Sequence, residues 1–495
     1  MLPDGDLDLT MGFYFFPRGG SAQVARYLCR ALAGTRWRPS VFSGSMGTLD
    51  DNSNARKFFD GVACESLDYT AAQSQWRAGG DAMRAAVPMS ASFEDKVGVP
   101  DRIILDLDND AFDRQVGSWI RFFAGSTARR PDVVHLHHLT PMHEAVRMVW
   151  PSVPVVTHLH GTELKMLMAV RDGTIPARPR RFNSEWVARM QRWAGDSDRV
   201  VVVAEHDEQL VQTLLPVDPR RVTSIAGGVD TDVFSPQGRR PGERMALWHR
   251  WLVDEPRGWR PGQPEGSIRY CDDDLRAFMG ADGQPVPVVL FAGRFMRFKR
   301  LQLLIEAHHL MRSTTACRSV LIVAGGFPCE WEGEHPYDTV RRLGAEGVFF
   351  AGWRDHHDLS DILSCSDLFA APSVDEPFGL VYLEAMASGV PPIGTTTGGP
   401  LSFINVDPDH PTGWLVPPDD VGATARALAE AVTNPALLAE RGRRCAQFVR
   451  EHYSWAASAR SFTRLYDELT DAPTGSKSSV RTLPVVDMMP SIGVA

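Results

Sequence analysis

The sequence predicts an α/β protein built from two doubly wound parallel-sheet domains with a long insertion between them. Three observations predict it. The chain has 495 residues, more than a single hydrophobic core usually serves. Short apolar runs alternate with helical patterns, as happens when strands are buried on both faces of a parallel sheet. That rhythm occurs twice, interrupted by a Pro-, Gly- and Arg-rich stretch over residues 236–285.

In the first half the strands fall at 10–16 (Thr-Met-Gly-Phe-Tyr-Phe-Phe), 39–43, 132–137, 153–158, 199–204 and 221–226, with helices over 21–33, 183–195 and 206–214 among the elements between. In the second half the strands are 287–292, 319–324, 347–351, 367–371, 390–394 and 413–416, and the helices 300–312, 357–365, 379–388, 420–433 and 435–451. Ligands of such units gather at the carboxyl ends of the strands, and two units in tandem imply a cleft between them. The expected domains are therefore 1–235 and 286–453. The insertion 236–285 spends Trp248, Trp251 and Trp259, which predicts docking onto a domain surface. Residues 472–495 lack periodicity and are expected to be a mobile tail.

Composition narrows the partners. Lys and Arg total 52 against 61 Asp and Glu, a formal net charge of −9. An acidic body repels a polyanion unless it carries a basic stripe, and the best stripe, Arg178, Arg180 and Arg181, is short and set among prolines. Nucleic acid is not an expected partner. Seven cysteines are scattered without a Cys-x-x-Cys pair, which suits reduced thiols in a cytoplasm. The N-terminus has no signal-peptide pattern, and no window approaches the ~18 apolar residues of a membrane span, so a cytoplasmic protein without stable membrane association is expected. The oligomeric state is not legible.

The most informative segment runs from Asp375-Glu376-Pro377-Phe378-Gly379 through Leu380, Val381 and Glu384 to Gly389. A strand ends at Ala371-Pro372, a loop carries Glu376, and Gly379 opens a helix. The N–H groups of Gly379, Leu380 and Val381 are then the unpaired donors of a helix N-terminus, suited to a diphosphate. One carboxylate can accept ribose hydroxyls and the other sugar hydroxyls. Taken alone, Glu376 could equally complement the helix dipole and Glu384 be solvated. A second segment, Gly293-Arg294-Phe295-Met296-Arg297-Phe298-Lys299-Arg300, follows the strand ending Phe291-Ala292. From that strand end Arg294 and Lys299 can reach one phosphate group and stabilise a departing diphosphate, though a solvated basic loop would read the same way.

Together with Gly352-Trp353, Ala371-Pro372-Ser373, Glu384-Ala385-Met386-Ala387-Ser388-Gly389-Val390-Pro391 and Thr412-Gly413-Trp414-Leu415-Val416-Pro417-Pro418-Asp419, these segments resemble the C-terminal domain of retaining glycosyltransferases of family 4. The glutamates match that family's Glu-x7-Glu spacing. Gly19-Gly20, Thr157-His158-Leu159-His160-Gly161-Thr162 and Gly228-Val229-Asp230-Thr231-Asp232-Val233-Phe234 match its N-terminal half, so the resemblance covers roughly 10–470 in order. It implies the GT-B architecture, two Rossmann-like domains facing across a cleft, with the helix over 454–470 crossing back onto the N-terminal domain. It also implies roles. Arg294 and Lys299 bind the donor diphosphate, Glu384 the ribose and Glu376 the transferred sugar. Gly293, Phe378 and the backbone at 379–381 line the site, His160 lies beside the donor sugar, and Gly19 and Gly20 let backbone approach phosphate or acceptor. The implied donor is a UDP- or GDP-sugar, configuration is retained, and no cofactor takes part.

His135, His137, His138, His143, His158 and His160 stand at the ends of two strands. His135 and His137 share a strand face, as do His158 and His160. No carboxylate or cysteine repeats at metal-ligand spacing, and the resemblance implies metal-independent transfer, so no metal is expected. The regions 236–285 and 44–130 exceed the family pattern, and acceptor identity is expected to reside in the latter. A small soluble acceptor is the leading expectation. The rivals are a lipid or polysaccharide acceptor at a membrane surface, a GT-B epimerase or phosphorylase, and a non-catalytic nucleotide-sugar sensor.

Overall fold

A computed structural model describes residues 6–17, 19–49, 51–94, 98–175, 182–315, 318–328, 330–374 and 376–471. The expected basic stripe at 178–181, the tail 472–495 and Asp375 lie outside the described residues. Contacts divide the chain into two units: residues up to Gly227 with the helix Trp455–Asp471, and Gly228–Ser454.

The first unit is a seven-stranded parallel sheet. Its strands are β1 (Leu7–Phe13), β2 (Trp37–Ser45), β3 (Ala63–Asp68), β4 (Val133–His137), β5 (Val155–Leu159), β6 (Arg199–Val202) and β7 (Val222–Ser224), in the order β3-β2-β1-β4-β5-β6-β7. β4 and β5 are buried at every position, as parallel strands covered on both faces must be. β1 begins and ends three residues before the expected 10–16. Tyr14 turns off the sheet because its carbonyl accepts from the Tyr69 hydroxyl at 2.7 Å and its own hydroxyl accepts from the Ala91 amide at 2.9 Å. The unassigned region 44–130 supplies β3 and the helix Asn109–Gly125, whose Asp108 side chain accepts from Ala111 N at 2.9 Å. β3 escaped sequence reading because it is an edge strand with no fully buried position, so its side chains carry no apolar alternation.

The second unit is a six-stranded parallel sheet of β8 (Val288–Ala292), β9 (Val320–Ala324), β10 (Val348–Gly352), β11 (Leu368–Ala370), β12 (Pro392–Thr395) and β13 (Trp414–Val416), ordered β10-β9-β8-β11-β12-β13. Residues 236–285 lie within this unit. Trp248, Trp251 and Trp259 are at most 1% exposed. Arg354 holds the stretch by donating to the carbonyls of Trp251 (2.8 Å) and Glu255 (2.6 Å). Among the described residues, no helix is long and apolar enough to cross a membrane.

In both sheets the strand order reverses direction beside the first strand: between β1 and β4, and between β8 and β11. Loops leaving such a pair diverge to opposite faces, which opens a crevice at the carboxyl ends of the strands. The loops after β8 and β11 are those that carry Arg294, Lys299 and Glu376.

Candidate functional site

In the second unit, Lys299 closes the short 3-10 turn Arg297–Lys299 after β8, and Glu376 sits in the loop after β11. Their side chains meet across the crevice, Lys299 Nζ donating to Glu376 Oε2 at 2.5 Å, with 13% and 9% of each side chain exposed. The two loops are also joined through backbone, Val374 N donating to Phe298 O at 2.7 Å. Arg294, on the same β8 loop, pairs with Glu330 at 3.3 Å and is more open, at 41%. Arg300 pairs with Asp419. Lys299 thus rests against a carboxylate withdrawn from water, while Arg294 and Arg300 make more open pairs, and an anionic ligand could replace the carboxylate in each.

Gly379, at a φ of 94°, turns the loop into the helix Leu380–Ala387, and no side chain caps its N-terminus. An uncapped first turn with half-buried Leu380 and Val381 is suited to an anion or to sugar hydroxyls. Glu384 lies one turn further on. Its side chain is half-buried, and desolvation pushes its carboxyl up to about 8, so near neutral pH it is largely protonated in the free protein.

Sequence reasoning missed the loop that positions Glu376. Gly399 N donates to Glu376 O at 2.6 Å, and Thr395 Oγ1 donates to Ser373 O at 2.5 Å. A Cβ on Gly399 would fall 2.4 Å from Phe378 O and 2.6 Å from its Cα, so only glycine lets the two backbones approach. The Gly398-Gly399 pair at a strand end was the available signal. Gly399→Ala is expected to displace the Glu376–Phe378 loop, cost about 1–3 kcal/mol in denaturant unfolding and abolish nucleotide-induced thermal stabilisation. Wild-type behaviour in both measurements would show that the loop accommodates the methyl group.

Gly293, directly after β8 in the second unit, donates its N–H to Ala324 O at 3.1 Å, and Gly19, Gly20 and His160 belong to the first unit. Gly19, at a φ of 71°, and Gly20 open the helix Gly19–Ala31; both are exposed, and a Cβ on either would meet nothing within 4 Å. Half-buried His160 follows β5, its Nε2 2.9 Å from His137 Nδ1 and its backbone N 3.4 Å from Glu163 Oε1. Glu163 is fully buried and also meets His138 Nδ1 at 3.2 Å. His143 is a core residue, bonded through Nε2 to Thr157 at 2.9 Å and stacked on Trp193. Burial holds the imidazoles of His137, His158 and His160 well below their ordinary pKa, and those of His135 and His143 at about 3 and 4.

Two family models match the chain in series. Residues 18–233 match the family model described as Glycosyltransferase Family 4, and residues 280–452 match Glycosyl transferases group 1. A D-inositol 3-phosphate glycosyltransferase of Mycobacterium tuberculosis is 29% identical over 305 residues, spanning 60% of this chain and 53% of the relative. The chain thus matches about half the length of that curated relative. Among solved structures, sucrose-phosphate synthase of Thermosynechococcus elongatus superposes with a TM-score of 0.64 at 18% identity, covering 94% of this chain and all of that one. Anabaena HepE in complex with UDP and glucose gives 0.61 at 14% identity, covering 93% and 100%. These structural likenesses speak to the fold: two Rossmann-like α/β domains of the GT-B type.

Proposed function

The chain belongs to the glycosyltransferases, with a Family 4 N-terminal domain and a group 1 C-terminal domain, and on that premise we propose that it moves a sugar from a UDP-sugar to a small, soluble, hydroxyl-bearing acceptor with retention of configuration. The observation that carries the reading is the Lys299–Glu376 pair, set at the strand-order reversal beside the uncapped N-terminus of Leu380–Ala387. UDP is favoured over GDP by the nucleotide in the HepE complex. A small acceptor is favoured by the relative that acts as a D-inositol 3-phosphate glycosyltransferase.

In this reading the donor diphosphate displaces Glu376 from Lys299 and Glu330 from Arg294, and the two cations take up the charge that develops as the bond to the sugar breaks. Glu376, released, accepts sugar hydroxyls, and Glu384 accepts the ribose hydroxyls. His160, in the first unit, offers an imidazole kept neutral by burial, a hydrogen-bonding group that carries no charge. The acceptor oxygen bonds to the anomeric carbon on the face that the diphosphate leaves. Its proton passes to a departing phosphate oxygen, so no side chain serves as base. The protein contributes position and charge, and the diphosphate needs no metal ion. Acceptor choice belongs to the region 44–130 of the first unit.

The test is a panel of UDP-, GDP- and ADP-sugars read by thermal shift and by donor hydrolysis. UDP-sugars are expected to stabilise the protein and to be slowly hydrolysed. Failure of every donor to shift the transition would remove the assignment, and a preference for GDP would correct the nucleotide alone.

A further inference from the structure

The first unit contains a cluster of imidazoles that sugar transfer does not use. β4 places His135 and His137 on one face by strand alternation, and the β4–β5 register sets His158 directly beside His137. All three are at most 1% exposed. One ring nitrogen from each lies within 4.8 Å of those of the other two. The helix Trp455–Asp471 covers them, the Phe462 ring standing 5.3 Å from His135 and 5.4 Å from His158.

Their hydrogen bonding is lopsided. His135 Nδ1 is engaged by the Tyr466 hydroxyl at 2.6 Å and His137 Nδ1 by His160 Nε2 at 2.9 Å. The opposite nitrogens, His135 Nε2 and His137 Nε2, are buried with no hydrogen-bond partner among the described residues, as are both nitrogens of His158. Buried polar atoms are ordinarily satisfied, so unsatisfied nitrogens from three neighbouring side chains call for a shared occupant. One nitrogen fixed by an outer partner and the other left open is the arrangement of a metal-ligating histidine.

We propose that His135, His137 and His158 bind a first-row divalent transition metal ion, with zinc the expected occupant. Three neutral imidazoles are a donor set for such ions and not for magnesium or calcium. Nitrogens at 2.0–2.1 Å from a tetrahedral ion stand about 3.4 Å apart, so modest ring rotations close the site and leave a fourth position for water. The fully buried Glu163 side chain, meeting His138 and the His160 backbone, stands at the same strand ends. Spacing along the chain argued against a metal because the third ligand comes from the neighbouring strand, and only the register brings it alongside. The ion would also act on His160. Coordination through His137 Nε2 leaves the proton on Nδ1, which donates to His160 Nε2 and so fixes the His160 proton on its own Nδ1.

The test uses the full chain from zinc-supplemented culture, dialysed and analysed for metal, with cobalt(II) loading as a spectroscopic second measurement. One zinc ion per chain is expected, with visible ligand-field absorption for the cobalt form. Both are lost in His158→Gln and His135→Gln and kept in Glu376→Ala, whose metal content does not depend on the donor-site reading. If the histidine variants fail to fold, the wild-type stoichiometry and cobalt spectrum decide. Substoichiometric zinc without a cobalt spectrum, the result expected if water satisfies the nitrogens, overturns the proposal. So does zinc retained undiminished by both histidine variants.

Discussion

Glu376→Ala is expected to lower donor turnover by about 100-fold or more while leaving UDP affinity unchanged or tighter. In the free protein Glu376 is the partner of Lys299, at 2.5 Å and with both side chains largely withdrawn from water. The proposed diphosphate competes for that same ammonium, so removing the carboxylate removes a competitor. The hydroxyls of the transferred sugar lose their acceptor, and the loss falls on kcat. Lys299→Met should do the reverse on binding, weakening UDP, because Glu376 then stays in place without a counter-charge. It should also destabilise the fold by roughly 3 kcal/mol, since a largely buried carboxylate is left unpaired. Steady-state kinetics on both variants, with UDP titrated by calorimetry, separates the two residues. Equal losses of UDP affinity in both would show that Glu376 acts by positioning Lys299 for the phosphate and not as a competitor that the diphosphate displaces.

Glu384→Gln should change how stability depends on pH. Desolvation raises the folded-state carboxyl from its ordinary 4.5 to about 8. Between those values the folded chain holds a proton that the unfolded chain has released, so stability declines as pH rises from about 4.5 to 8 and levels off above. At about 1.4 kcal/mol per pKa unit, and discounting for a side chain that solvent still partly reaches, the decline is on the order of 3 kcal/mol. Glutamine carries no proton to lose, so the variant should show a flatter profile and exceed the wild type in denaturant unfolding at pH 8.5. Nucleotide binding should respond in the opposite sense. If ribose hydroxyls need the carboxylate, wild-type UDP affinity rises up to about tenfold per pH unit on approaching pH 8, and the difference from Glu384→Gln isolates that component. Parallel pH profiles for the two proteins would show that Glu384 does not ionise to bind.

The placement of Arg294, Lys299, Glu376 and Glu384 beside strand ends and a helix start was legible because those boundaries are written in local periodicity. Most of the strands were legible for the same reason: fully apolar runs such as Val288–Ala292 and Val320–Ala324 admit little else. β3 was not, since an edge strand without a fully buried position has no reason to alternate. Gly399 was not, because its requirement is the approach of Phe378 from another loop.

The sequence by itself determined two doubly wound α/β domains and the residue types at the β8 and β11 loops, because apolar periodicity, glycine and charge act over a few neighbouring positions. Tertiary structure alone decided which charges meet. Lys299 and Glu376 lie 77 residues apart and are joined because the sheet order sets β8 beside β11. His137 and His158 are joined because register sets one strand against the next. Strand order and register are choices among many pairings of similar apolar strands, and they are settled by how the whole core packs rather than by any segment alone.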